Sequence, residues 1–229
     1  MERVSATAIL PVKRLVRAKR RLNGQLGVGS RAALASAMLS DVLAALERSQ
    51  ELETIVLVSG EPTLQELALG GRTSLIPDLI ERGQSPAALT GMARALELGS
   101  DRALLVPGDC PLVDAAEIDG LLDSHRTDDV DVVIVPDRHR TGTNALLLDT
   151  NSDFEPHFGP DSLNLHVEEA ERRGLRCSVE SVPSLELDVD TRDDLSELIA
   201  ALERDPDRAP HTQTVLRQIE RTQPQPAHA

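Results

Sequence analysis

The decapeptide Ala103-Leu-Leu-Val-Pro-Gly-Asp-Cys-Pro-Leu112 ends a short apolar run on a carboxylate, Asp109. Ala103 to Val106 has the pattern of a buried strand, Pro107 and Gly108 stop it, and Pro111 blocks an immediate helix start. Asp109 is thereby placed just past the carboxyl end of a central strand, the ligand edge of an open α/β sheet. An acid there either caps a loop or holds a divalent cation through oxygen. Two more carboxylates, Asp188 and Asp190, flank Val189 ahead of a helix start. Brought beside Asp109, they would hold Mg2+ together with substrate phosphates, and the sequence keeps both as candidates.

Positive charge is concentrated as sharply. Lys13, Arg14, Arg17, Lys19, Arg20 and Arg21 fall within nine positions, and Lys13 and Lys19 are the only lysines in the chain. Phosphoryl transfer needs fixed cations facing the phosphates, which makes Lys13, Lys19 and Arg21 candidates. Gly24, Gly27 and Gly29 follow in the same loop, but there is neither a Walker P-loop nor a dinucleotide-binding glycine fingerprint. A third set is polar and neutral. Thr141-Gly-Thr-Asn144 offers hydroxyls, an amide and a glycine N–H, and Gly159-Pro-Asp-Ser162 offers a helix amino end. Each alone reads as a polar turn; together they point to a small anionic substrate.

Composition narrows the field. The chain has 229 residues, 38 acidic against 24 basic for a net charge of −14, and no Trp or Tyr. That balance disfavours nucleic acid and anionic membranes, and with only Phe154 and Phe158 there is little to stack on bases. No apolar run reaches the length of a bilayer span and the first residues lack a secretion-signal layout, so a cytoplasmic protein is expected. Cys110 and Cys177 make no disulfide framework, and Cys110 reads as a buried structural thiol. No histidine or cysteine spacing argues for zinc, and no Gly-x-Ser-x-Gly elbow argues for a hydrolase.

The elements that must position these groups alternate. Strands are expected at Thr7–Leu10, Thr54–Val58, Ser74–Ile76, Ala103–Val106, Asp131–Val135, Ala145–Leu148 and Arg176–Val182. Helices are expected at Arg31–Arg48 behind a Ser30 cap, Pro62–Leu69, Pro86–Leu98 behind Ser85, and Ala115–Ser124 behind Asp114 and Glu117. Two more follow at Leu163–Arg173 and at Arg192–Leu202 behind a Thr191–Asp194 capping box. This is a single α/β domain over residues 1–204, a mixed, mostly parallel sheet with helices on both faces. Residues 136–182 read as a lobe over one edge. Residues 205–229 read as a weakly structured, dispensable tail with at most a weak helix at Thr212–Arg221.

Several of these stretches together resemble a known family. They are Pro11-Val-Lys13, Ala18-Lys-Arg-Arg-Leu22, Pro107-Gly-Asp-Cys-Pro-Leu112, Pro136-Asp-Arg-His139 and Gly142-Thr-Asn-Ala-Leu146. Phe158-Gly-Pro-Asp-Ser162 with His166, and Asp188-Val-Asp-Thr191 with Asp193-Asp-Leu195, complete the set. The chain resembles the 2-phospho-L-lactate and phosphoenolpyruvate guanylyltransferases of deazaflavin coenzyme F(420) biosynthesis, within the molybdopterin-guanylyltransferase-like nucleotidyltransferases. The resemblance implies a Rossmann-like nucleotidyltransferase fold and transfer of GMP from GTP to a three-carbon phospho-acid, with release of pyrophosphate. It implies that Lys13, Lys19 and Arg21 hold the GTP phosphates, that Asp109 with Asp188 or Asp190 binds Mg2+, and that Thr143, Gly159 and Ser162, with Asn144 beside them, grip the acceptor. It also implies a transient partner, the downstream deazaflavin-accepting transferase. Alternatives from the residues are another nucleotidyltransferase, of molybdopterin or sugar-phosphate type, or a non-catalytic nucleotide-binding module.

Overall fold

The computed structural model describes residues 4–68, 71–127 and 130–222. In chain order the elements are β1 (Ala6–Val12), α1 (Val28–Arg48), β2 (Leu52–Ser59), β3 (Thr73–Pro77), α2 (Gln84–Glu97), β4 (Arg102–Leu105) and α3 (Ala115–Thr127). Then come β5 (Val132–Pro136), β6 (Thr143–Asp149), α4 (Ser162–Arg173), β7 (Cys177–Val179), α5 (Arg192–Arg204) and α6 (Pro210–Thr222). The seven strands form one sheet in the order β3-β2-β1-β4-β6-β5-β7. Only β6 runs against its neighbours, β4 and β5. The mixed, mostly parallel α/β architecture expected from the sequence is the one observed.

Alternation along each strand builds two cores at once. Ala8 and Leu10 of β1, Leu57 of β2, Leu104 of β4 and Leu147 of β6 face α1 and α3. Ile9, Val56, Leu105 and Leu146 face α2 and α4. Burial on both sides is why these strands read as unbroken apolar runs. α2 lies close on β1 because residue 91 is glycine: a Cβ there would stand 2.2 Å from Ile9 Cγ2.

A third cluster covers the outer side of α1. Leu34 and Met38 pack with Leu22 and Leu26 of the basic loop, with Leu195, Leu198 and Leu202 of α5, and with Leu216 of α6. α1 is therefore apolar nearly all round, and by length and composition it reaches the threshold of a bilayer span. Its apolar positions are consumed by the sheet on one side and by α5 and α6 on the other.

Several expectations are corrected. Residues 136–182 are not a lobe over an edge. β6 sits inside the sheet between β4 and β5, because its run Ala145–Leu148 is apolar on both faces. Residues 205–222 are not a weakly structured tail either. α6 docks on α1, and the buried Asp41 carboxylate accepts hydrogen bonds from the His211 and Thr212 N–H groups at 3.1 and 2.8 Å. The expected disorder of the last residues falls, from 223 on, outside the described residues. α1 begins at Val28 with Gly27 before it, so Ser30 lies within the helix. The helix expected at Pro62–Leu69 is a 3₁₀ turn at Pro62–Gln65, and Leu69 lies outside the described residues. Ser85 lies inside α2 rather than capping it. Asp114 caps α3, but Glu117 accepts instead from the Ser184 N–H at 2.9 Å. The Thr191–Asp194 capping box of α5 is present as expected.

Candidate active site

The candidate residues gather at one edge of the sheet, formed by the carboxyl ends of β1 to β5 and the amino end of antiparallel β6. Asp109 follows β4, and its carbonyl accepts the Val189 N–H at 3.1 Å. That bond brings the segment carrying Asp188 and Asp190 alongside it. Further bonds stitch the two loops together: the Cys110 thiol to the Leu185 carbonyl at 3.5 Å, and the Asp114 N–H to Ser184 Oγ at 3.1 Å. Cys110 is fully buried, the structural thiol the sequence indicated.

Lys19 reaches into this cluster. Its ammonium donates to the Asp109 carboxylate and, at 2.9 Å, to Asp190 Oδ1, with the side chain 4% exposed. Leu22 is the anchor: it is buried against α1 and turns the basic loop inward. Lys19 itself has φ +55°, a left-handed conformation that a non-glycine residue holds only under tertiary constraint. Burial opposes its charge, but Asp109 and Asp190 outweigh burial and hold its pKa above the ordinary lysine range. Arg21 is exposed, with its guanidinium 4.0 Å from Asp190 Oδ2.

Asp188 is the odd carboxylate. Burial, then the nearby charges of Asp109 and Asp190, push its carboxyl up to about 6. It makes no ion pair among the described residues; its neighbour is Asn144, whose Nδ2 lies 3.4 Å from Asp188 Oδ1. The same nitrogen donates to the Leu185 and Glu186 carbonyls at 2.7 and 3.2 Å. Asn144 thus braces the 185–188 loop, a role its place in a polar turn did not reveal.

This donor set is all oxygen, the preference of magnesium. Among the described residues no three His, Cys, Asp or Glu side chains form a ready-made metal cage. The arrangement fits a cation that takes one or two carboxylates and completes its shell with phosphate oxygens.

Lys13 stands elsewhere. It lines a cleft of about 140 Å3 between the end of β1 and the start of α2, with Arg14, Arg17, Asp78, Glu81 and Gly83. Arg17 pairs with Glu81 at 2.7 Å, and Arg14 binds the same carboxylate. The three expected cations are therefore divided: Lys13 in the cleft, Lys19 and Arg21 on the carboxylates. Glu81 carries no motif signal, and the sequence reading missed it.

Of the neutral donors, Thr143 and Ser162 meet, and Asn144 does not join them. The Thr143 N–H donates to Ser162 Oγ at 2.9 Å, joining the start of β6 to the start of α4. Thr143 Oγ1 lies 2.9 Å from His166 Nδ1. Gly159 has φ +134°, which only glycine adopts without strain, and the preceding Phe158 N–H donates to Ser85 Oγ at 2.9 Å. Ser85 therefore ties the Phe158–Ser162 loop to α2. Thr143 and Asn144 point to opposite sides of β6, as neighbours on a strand must.

Carboxylates, cations and neutral hydrogen-bond donors thus share one edge of the sheet, and comparison with known proteins shows the family. The family model described as Guanylyl transferase CofC like matches residues 6–221. The chain belongs to the CofC-like guanylyltransferases. It is 44% identical over 221 residues to the phosphoenolpyruvate guanylyltransferase of Conexibacter woesei, covering 96% of this chain and 99% of that one. It is 35% identical over 195 residues to the 2-phospho-L-lactate guanylyltransferase of Methanothermobacter thermautotrophicus, covering 84% and 83%. A solved nucleotidyl transferase from Methanothermobacter thermautotrophicus superposes with a TM-score of 0.61 at 18% identity, over 88% of this chain and 98% of that one. The CTP complex of a CMP:2-keto-3-deoxy-manno-octonic acid synthetase gives 0.59 at 13% identity, over 88% and 99%. These structural likenesses show that the CofC-like fold is that of nucleotidyltransferases. Membership also removes the molybdopterin, sugar-phosphate and non-catalytic alternatives.

Proposed function

We propose that this chain transfers GMP from GTP to phosphoenolpyruvate, giving enolpyruvyl-2-diphospho-5'-guanosine and pyrophosphate in coenzyme F(420) biosynthesis. The observation that carries the acceptor is the 44% identity with the Conexibacter woesei enzyme over nearly the full length of both chains. The 35% likeness to a 2-phospho-L-lactate enzyme keeps that acid as the second reading.

In this reading Lys13 and Arg17 receive the nucleotide in the cleft, and Lys19 moves from the carboxylates toward the phosphates as they arrive. Asp109 with Asp188 or Asp190 holds Mg2+, which when bound neutralises charge on the phosphates. Thr143, Gly159 and Ser162 orient the acceptor so that its phosphate oxygen lies in line with the α-phosphorus. A new P–O bond forms there as the bond to pyrophosphate breaks. The acceptor phosphate is already largely ionised near neutral pH, so positioning and charge do the work and no separate base is required. A cytoplasmic location and hand-over to the deazaflavin-accepting transferase belong to the same reading.

The test is pyrophosphate release with GTP and Mg2+, offering phosphoenolpyruvate, 2-phospho-L-lactate and 3-phospho-D-glycerate in turn, with the accepting transferase present to consume product. Release with phosphoenolpyruvate, lost in Asp109→Asn while GTP binding persists, is the expected result. Release with none of the acids, alongside GTP binding, would overturn the acceptor.

A further inference from the structure

His166 is completely buried on α4, enclosed by the only two phenylalanines of the chain. The Phe154 ring centroid lies 5.7 Å away and that of Phe158 5.2 Å, the latter edge-on. Both ring nitrogens are engaged. Nε2 lies 2.8 Å from the backbone nitrogen of His157, which can only donate. Nε2 is therefore unprotonated, and the ring carries its proton on Nδ1. Nδ1–H donates to Thr143 Oγ1 at 2.9 Å.

The consequence falls on Thr143. Its hydroxyl accepts from His166, so its own hydrogen must point elsewhere. Ser162 is in the same condition: its Oγ accepts the Thr143 N–H at 2.9 Å, leaving its hydrogen to donate. Two hydroxyls at the junction of β6 and α4 are thus set as donors, the polarity an anion requires. The other end of the imidazole holds the His157 N–H, two residues before Gly159. His157 is steadied in turn by Glu169, 3.5 Å from its Nε2, and the Glu155 N–H donates to Glu169 at 3.3 Å.

We propose that His166 is a positioning residue for the acceptor: as the neutral Nδ1–H tautomer it turns the Thr143 hydroxyl outward as a donor and fixes the loop that carries Gly159. The role rests on the acceptor reading above. Burial, aided by the proximity of His157, pushes the His166 pKa down to about 4, so the ring stays neutral at working pH.

The experiment compares the full-length wild type with His166→Phe, which keeps the ring shape and loses both nitrogens, and with His166→Asn, whose amide restores a donor near the Nδ1 position. His166→Phe is expected to raise KM for phosphoenolpyruvate about tenfold, the scale of one hydrogen bond to a charged group, with KM for GTP within about twofold. His166→Asn should recover much of the loss. Thr143→Val combined with His166→Phe should raise KM by less than the product of the two single effects, because part of the His166 contribution acts through Thr143 and the rest through the His157 N–H. Should His166→Phe not fold, 15N imidazole spectra of the wild type decide the matter. An Nδ1–H signal held from pH 8 to 5 supports the role, and an Nε2–H tautomer or an imidazolium at pH 7 overturns it. Parallel increases in both KM values, or an unchanged acceptor KM, also overturn it. A wild type that turns over none of the acids refutes the acceptor reading instead, and the tautomer spectrum still tests His166.

Discussion

Lys19 Nζ stands 2.9 Å from Asp190 Oδ1 while also binding Asp109, so one buried ammonium joins carboxylates 81 residues apart in sequence. The carboxylates at this edge of the sheet are thus held together by the chain's own cation. Lys19 is fixed there by the inward turn at Leu22 and by its left-handed backbone, and the loop that carries it is folded rather than loosely solvated.

An ammonium on both carboxylates competes for the oxygens a divalent ion needs. Lys19→Met is expected to bind Mn2+ alone at least about tenfold more tightly, since one such charge contact is worth ~1–4 kcal/mol. Its guanylyl transfer should fall by about a hundredfold, the usual loss when a charge-stabilising group is removed. Electron paramagnetic titration of free Mn2+ measures the first effect. Equal affinity in both proteins would show that Lys19 does not guard the site.

Asp188, raised to about 6, is expected to give the proposed metal binding a pH dependence. Below that value the cation-free protein keeps a proton on Asp188, which a metal must displace. Mn2+ affinity in the wild type should therefore fall as pH is lowered from 7 to 5. Asp188→Asn should bind more weakly but with a flatter profile over the same range. A wild-type slope retained in the variant would assign the titration to another group.

His166 makes a separate contribution to stability. Its folded pKa of about 4 lies below the ordinary 6.5, so the folded protein binds the proton less readily than the unfolded chain. That stability is complete above pH 6.5 and is lost as pH falls through the folded value, a change on the order of 3 kcal/mol. Urea unfolding of wild type and His166→Asn at pH 7.5 and 4 isolates the term: the difference between them should narrow or reverse at the lower pH. A constant difference would contradict it.

α6 is expected to matter for folding, not for chemistry. Leu216→Ala removes a side chain buried against α1 and α5, at a cost of about 2 kcal/mol. Asp41→Ala deprives the first turn of α6 of its acceptor, at a cost of about 1 kcal/mol. Denaturant midpoints should drop in both variants while KM values stay near wild type. Unchanged midpoints would mean that the helix is dispensable.

Local signals explain what the sequence disclosed. Asp109 was visible because proline and glycine punctuate the strand before it, and the α5 capping box because Thr191 and Asp194 stand three apart. The families of strands and helices followed from their periods. What was hidden depends on partners far away in the chain. β6 joins the sheet between β4 and β5 through pairings such as Leu105 with Leu146, which no local pattern encodes. Asn144 looked like a free donor because its carbonyl partners lie some forty residues on. Ser85 looked like a helix cap, yet its partner is the Phe158 N–H, 73 residues away. Lys13 and Lys19 share a loop in sequence, and the long-range burial of Leu22 against α1 and the left-handed backbone at Lys19 send the second to the carboxylates.

The docking of α6 on α1 also bears on how the protein is made. The Asp41 carboxylate is synthesised 171 residues before the Thr212 N–H it accepts. Until α5 and α6 leave the ribosome, Leu34, Met38 and their neighbours have only Leu22 and Leu26 of the basic loop for cover on the outward side. The nascent chain therefore carries a largely apolar helix with its outer face incompletely covered through most of its translation.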